Sequence, residues 1–169
     1  MNNVRNTLRQ RAIKAAKKLE NTEIIDGIEL IYFRIESETY AIEAGVVSEV
    51  HKYKEPTPVP FTPAYIQGVF HMRGNFVSLV NLKIFLGIPE QNEKVATLCI
   101  LFLSDENMEF GVAVDEVIEQ KRVSKKEIQT LTAGFDLPRA DLILGVMENG
   151  VIVLDGKKLL ADPTMIVHK

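Results

Sequence analysis

The chain has 169 residues, 46% of them apolar and 25% charged, which suits one compact domain or two small lobes sharing a core. Its net charge of −3 hides an asymmetry: residues 1–20 hold six bases and one acid, so the remaining 149 residues sum to −8. That acidic body argues against nonspecific nucleic-acid binding, no apolar run approaches the roughly 20 residues that span a bilayer, and the single Cys99 excludes an intramolecular disulfide.

Val4, Leu8, Ala12, Ala15, Ala16 and Leu19 recur at helical spacing, so residues 3–20 read as a basic, modestly amphipathic helix. Its stripe is half alanine, weak for anchoring at a membrane surface. It fits a helix docked on the body or a partner, a solvated helix, or a targeting segment that lacks the usual serines. No apolar core of a secretory signal follows the start. Residues 1–23 are therefore taken as helix and linker, and 24–163 as the body.

From residue 24 onward the period becomes strand-like. Leu30–Ile35 and Thr39–Ile42 flank Glu36-Ser37-Glu38 as a hairpin. Pro56, Pro58, Pro60 and Pro63 make 54–63 an extended loop, because proline neither donates to a ladder nor continues a helix. Two apolar runs, Tyr65–Phe70 and Phe76–Val80, flank a polar connection holding Arg73 and Gly74, and a helical pattern follows at Leu82–Leu86. Unpaired burial of the arginine is prohibitive. Arg73 is thus either a structural ion-pair partner or a surface contact.

Val95–Leu103 and Glu109–Val114 form a second hairpin, with Cys99 in its apolar run as a small hydrophobe. Ser124–Asp141, with Gly134 and Pro138, reads as an irregular crossing. Leu142–Met147 and Val151–Leu154 close a third hairpin around Glu148-Asn149-Gly150.

The halves repeat. Phe33…Tyr40-Ala41-Ile42…Val47-Ser48-Glu49 aligns with Leu103…Phe110-Gly111-Val112…Val117-Ile118-Glu119 at an offset of 70. Gly68-Val69 aligns with Gly145-Val146 at 77, and Val77–Lys83 with Val151–Lys157 at 74. Two similar β-modules, approximately 28–88 and 95–162, are expected to share an apolar interface. Between matched positions the first module has three extra residues, all near Arg73.

Catalytic chemistry is not legible. His51, His71 and His168 stand far apart, without the short spacing of metal ligands. No nucleophile elbow, phosphate loop or dinucleotide fingerprint occurs. The acids Asp115-Glu116 and Glu36/Glu38 read as turn and solvent-face residues. The expectation is a binding module without catalytic residues, metal or cofactor.

Val46–Val50, Val59-Pro60, Pro63–Val69, Arg73-Gly74 and Val77–Leu82 together resemble the CheW family of chemosensory coupling proteins, over roughly 25–162. The resemblance implies a mainly β fold: two SH3-like, five-stranded β-barrel lobes packed on a shared core, here preceded by an N-terminal α-helix. It implies a cytoplasmic adaptor joining the tip of a methyl-accepting chemoreceptor to the regulatory domain of a CheA-type histidine kinase. Such an adaptor sits at membrane-bound receptor arrays through its partners, with no membrane insertion of its own. Val47, Glu49, Gly68, Arg73 and Gly74 match the family's partner-binding positions. Valine and glutamate two apart share a strand face, and arginine offers a planar, always-charged fork. Departures are His71, Met72, Ser78 and Asn81, where the family has Asn, Leu, Pro and Asp; Asp155 keeps the acid in the second half. Other readings are a scaffold of a non-chemotaxis pathway and a small-ligand sensor using the groove between lobes.

Overall fold

The computed structural model describes residues 7–14, 26–89, 96–132 and 136–165. Residues 7–14 form a helix (α1), exposed throughout; the rest of the expected 3–20 helix lies outside the described residues, as do His168 and Gly134. Among the described residues the body has eleven strands: β1 Gly27–Ile35, β2 Glu38–Glu43, β3 Val47–Lys52, β4 Ile66–Met72, β5 Asn75–Val80, β6 Cys99–Ser104, β7 Glu109–Val114, β8 Glu116–Ser124, β9 Ile128–Gln129, β10 Ile143–Met147 and β11 Ile152–Leu154. Two short helices, α2 Leu82–Leu86 and α3 Gly156–Ala161, follow β5 and β11. The crossing expected to be irregular contains the short strand β9.

The strands form two sheets, ordered β3-β6-β7-β5-β4 and β8-β1-β2-β11-β10-β9. We call them the central lobe, whose strands all lie within 47–114, and the flanking lobe, built from the strands on either side. Each sequence repeat is therefore split between lobes. The chain changes lobe after β2 and again at Asp115, not once between 88 and 95 as the repeat boundaries suggest. The parallel pairings cause this exchange, because β5 adds to β7 and β11 adds to β2. The repeat is exact in register: Ser78 opposite Phe110 matches Ile152 opposite Tyr40. Even the bulges correspond. One lies between Val47 and Glu49 against β6, and its match between Val117 and Glu119 against β1.

Alternation gives each sheet two apolar faces. One lines its own lobe: Phe70, Val77, Leu79, Ile100 and Phe102 in the central lobe, and Leu30, Tyr32, Ala41, Met147, Val151 and Val153 in the flanking lobe. The other face joins a shared core that includes Phe33, Ile42, Leu101, Leu103 and Val112, with Leu82, Phe85, Leu159 and Leu160 from the helices. Cys99 is half-buried against this core.

Both helices start in the same way. Asn81 accepts from the Ile84 amide and Asp155 from the Lys158 amide. Asn and Asp cap equally well, so the Asn81 departure leaves this part of the fold unchanged. The next matched pair diverges. Lys83 is buried and its Nζ lies 2.6 Å from Glu36 and 3.7 Å from Glu38 in the flanking lobe, whereas Lys157 is exposed. Across the junction Arg139 pairs with Asp162 and Asp141 and covers the Phe85 ring at 5.0 Å.

Candidate functional site

Arg73 and Gly74 form the two-residue turn between β4 and β5, with φ of +49° and +82°. Left-handed dihedrals at both central positions define the tight hairpin turn that matches strand twist. Glycine meets this at no cost, and around Gly74 there is open space. An arginine there carries a backbone penalty of about 1 kcal/mol. The three extra residues are not a longer turn, as their position in the sequence suggests. The rungs His71–Phe76 and Met72–Asn75 extend the hairpin beyond Phe70–Val77. The flanking hairpin stops at the matching Met147–Val151 and closes with Glu148-Asn149-Gly150.

That extension carries Arg73 to the opposite edge of the sheet. β3 and β4 are the two edge strands of the central lobe, and Arg73 forms an ion pair with Glu49 of β3. Glu49 also contacts His51 Nε2 at 2.5 Å. Arg73 is 60% exposed and Glu49 33%, so the pair contributes at most about 1 kcal/mol. Arg73 thus pairs with a residue of its own lobe while most of its side chain stays open to solvent.

Val47 and Glu49 do not share a strand face, contrary to the simple alternation. The bulge at Ser48, whose hydroxyl donates to the Phe102 carbonyl at 3.1 Å, sets Val47 opposite Leu103 and Glu49 opposite Phe102. Val47 packs on the shared core, while Glu49 faces the seam of the lobe. Gly68 is buried. A Cβ there would lie 2.5 Å from the Thr57 carbonyl oxygen, because Thr57 bridges Val69 across the end of the sheet. Gly68 therefore bears on any contact through the backbone it admits, not through its own surface. The matched Gly145 does the same for Gln129, also at 2.5 Å. Of the five expected residues, the structure brings Glu49, Arg73 and Gly74 together and sets Val47 and Gly68 apart.

Several neighbours were not singled out from sequence. His51 bonds Glu49 and stands edge-on to Phe102 at 5.1 Å. Phe76 is exposed beside His71, with ring centroids 5.3 Å apart. Phe61 follows Pro60 in a turn, has φ of +62° and is fully exposed. A signal for Phe61 was present, since proline at the first central turn position commonly precedes a left-handed residue.

Inside the seam lies an open cavity of about 260 Å³. Buried Phe70, Ile100 and Phe102 form its floor and His51, Lys52, Lys54 and His71 its rim. The corresponding region of the flanking lobe surrounds Tyr32 and Met147 with Glu119, Glu127 and Glu148, beside Lys121 and Lys126. There burial, reinforced by the charges of Glu127 and Glu119, raises the Tyr32 hydroxyl pKa. Among the described residues no group of three or more His, Cys, Asp or Glu side chains is arranged to hold a metal. No helix among them is long and apolar enough to cross a membrane.

The CheW-like domain model matches residues 29–164. A "Chemotaxis protein CheW" of Treponema pallidum is 28% identical over 145 residues, covering 81% of this chain and 84% of that protein. One of Bacillus subtilis is 31% identical over 112 residues, covering 66% and 71%. The crystal structure of the scaffolding protein TtCheW from Thermoanaerobacter tengcongensis superposes with a TM-score of 0.65 at 23% identity, covering 76% of this chain and 88% of that one.

Proposed function

Because the chain belongs to the CheW family, we propose that it is a non-catalytic cytoplasmic adaptor coupling chemoreceptors to a CheA-type histidine kinase. Several weak contacts made at once raise the effective concentration of the joined partners and tie kinase output to receptor state. The receptor tip and the kinase regulatory domain are the partners in this reading, and the adaptor reaches the membrane only through them.

The observation that supports it is Arg73. Its backbone is strained, its ion pair is exposed and weak, and its hairpin is longer than the same hairpin in the flanking lobe. None of this improves the fold. All of it presents a guanidinium fork to a partner carboxylate or carbonyl. Glu49 and Gly74 belong to the same contact, Val47 supports it from the core side, and Gly68 fixes the strand beneath.

Arg73→Glu tests the reading, since it places two carboxylates together at an exposed seam. The expected result is an unchanged circular dichroism spectrum with loss of co-sedimentation with the organism's own receptor fragment and CheA-type kinase. A folded variant that still assembles as wild type would overturn it.

A further inference from the structure

We propose that the mouth of the central lobe binds a small carboxylate with an aromatic or short aliphatic body. The cavity has the composition of an amphipathic anion site: its floor is the apolar interior of the lobe, and among the described residues no carboxylate lines its walls. Burying a ring or short chain on Phe70, Ile100 and Phe102 supplies the driving force. The rim supplies the sign of charge.

Lys52 and Lys54 line the opening, and among the described residues neither makes an ion pair. Flexible lysine ammoniums around an apolar opening capture a carboxylate while their stems cover its body. The nearby Glu49 is already engaged, since it binds both Arg73 and His51. The flanking lobe offers a built-in contrast. Its matching region sets Glu119, Glu127 and Glu148 among Lys121 and Lys126, so carboxylates offset its cations and weaken its pull on an anionic ligand. About 260 Å³ is below the usual range for drug-sized ligands, so the occupant is small. It would sit beside His51, and hence beside the Glu49–Arg73 hairpin contact.

Phenylacetate and its neutral counterpart phenylacetamide are suitable probes for the full chain followed by ¹⁵N–¹H NMR. A ligand of about ten heavy atoms is expected to bind in the millimolar range or tighter. Phenylacetate is expected to give saturable shifts confined to residues 51–54, 70–72 and 100–102, with the amide about tenfold weaker, as loss of a charge-assisted contact implies. The K52A/K54A double variant should weaken phenylacetate about tenfold or more. Met72→Glu, at a half-buried residue that also lines the cavity, adds a repelling charge and should abolish saturation in a variant whose spectrum shows it folded. Equal binding of acid and amide, equal shifts around Tyr32 and Met147, or no saturable binding would each overturn the proposal.

Discussion

The two lobes follow one plan and finish it differently. Their bulges and crossing glycines fall at matched positions, and both curl around an apolar interior. The flanking lobe ends its last hairpin early, closes it with Asn149-Gly150 and mixes carboxylates with lysines around its mouth. The central lobe runs two rungs further, closes with a strained Arg73, exposes Phe61 and Phe76, and surrounds its mouth with lysines and histidines. What the lobes share is what the fold needs. What only the central lobe has is the better guide to partners.

The largest test of that division lies at the matched lysines. Removing buried Lys83 takes away the cation that Glu36 and Glu38 share at the lobe junction, and breaking such a pair from one side costs about 3 kcal/mol. Lys157→Ala, exposed, should stay within about 0.5 kcal/mol. Urea denaturation of both variants measures the asymmetry, and equal values would place the lobes on the same footing here.

The crossing glycines should instead both resist a side chain, Gly68 the more strongly because its φ of +153° adds backbone strain. Gly68→Ala and Gly145→Ala each drive a Cβ to within 2.5 Å of a carbonyl oxygen of the crossing chain. Each is expected to cost about 2 kcal/mol by overpacking, lowering Tm by roughly 4–8 °C for a chain of this size. A lobe that tolerates its alanine is not closed by its crossing chain.

Two buried aspartates should respond to pH with opposite signs. Burial pushes Asp162 up, but hydrogen bonds from the Thr164 side chain, Arg139 and the Thr164 amide outweigh it and leave its pKa lowered. Its contribution is therefore present above the ordinary carboxylate range and disappears as pH falls through the lowered folded value. Asp162→Asn should cost about 1.5 kcal/mol at neutral pH, and its deficit relative to wild type should shrink in acid. Burial raises Asp115 despite the Glu36 amide it accepts. Its ionisation therefore weighs against folding at neutral pH, and that cost is relieved as pH falls through the raised value. Asp115→Asn should equal or exceed wild-type stability at pH 7. Denaturant midpoints across acid and neutral pH follow both.

Much of the fold is readable in the chain because its signals are local. The hairpins around Glu36-Ser37, Asp105-Glu106 and Asn149-Gly150 carry their own turn residues, and the repeat offsets pair the positions that the two lobes match. The exchange of strands between lobes is not readable, because it rests on parallel pairings between Ser78 and Phe110 and between Ile152 and Tyr40, which no spacing rule encodes. The site was half legible. Arg73 stands out as a charge between apolar runs, but its partner Glu49 lies 24 residues away, and the bulge at Ser48 reverses the face on which Val47 was expected. His51 and the lysine rim carry no pattern at all; only the curl of the sheet gathers them.

The smallest effect divides the lobes most sharply. Arg73→Asn places in the central turn a residue that accepts left-handed dihedrals more readily. It relieves a backbone penalty of about 1 kcal/mol and forfeits an exposed ion pair contributing about as much or less. Stability should therefore change by less than about 1 kcal/mol, with a rise more consistent with these magnitudes than a fall. A fold-driven arginine would show the reverse, a clear loss, because the Glu49 pair would then hold the seam of the sheet. Thermal and urea unfolding of Arg73→Asn beside Glu49→Gln separates the cases. If both variants keep wild-type stability while assembly with receptor and kinase weakens, the arginine is retained against the local preference of its turn. The longer central hairpin then serves a contact outside the molecule, and the shorter flanking hairpin shows how little the fold itself requires.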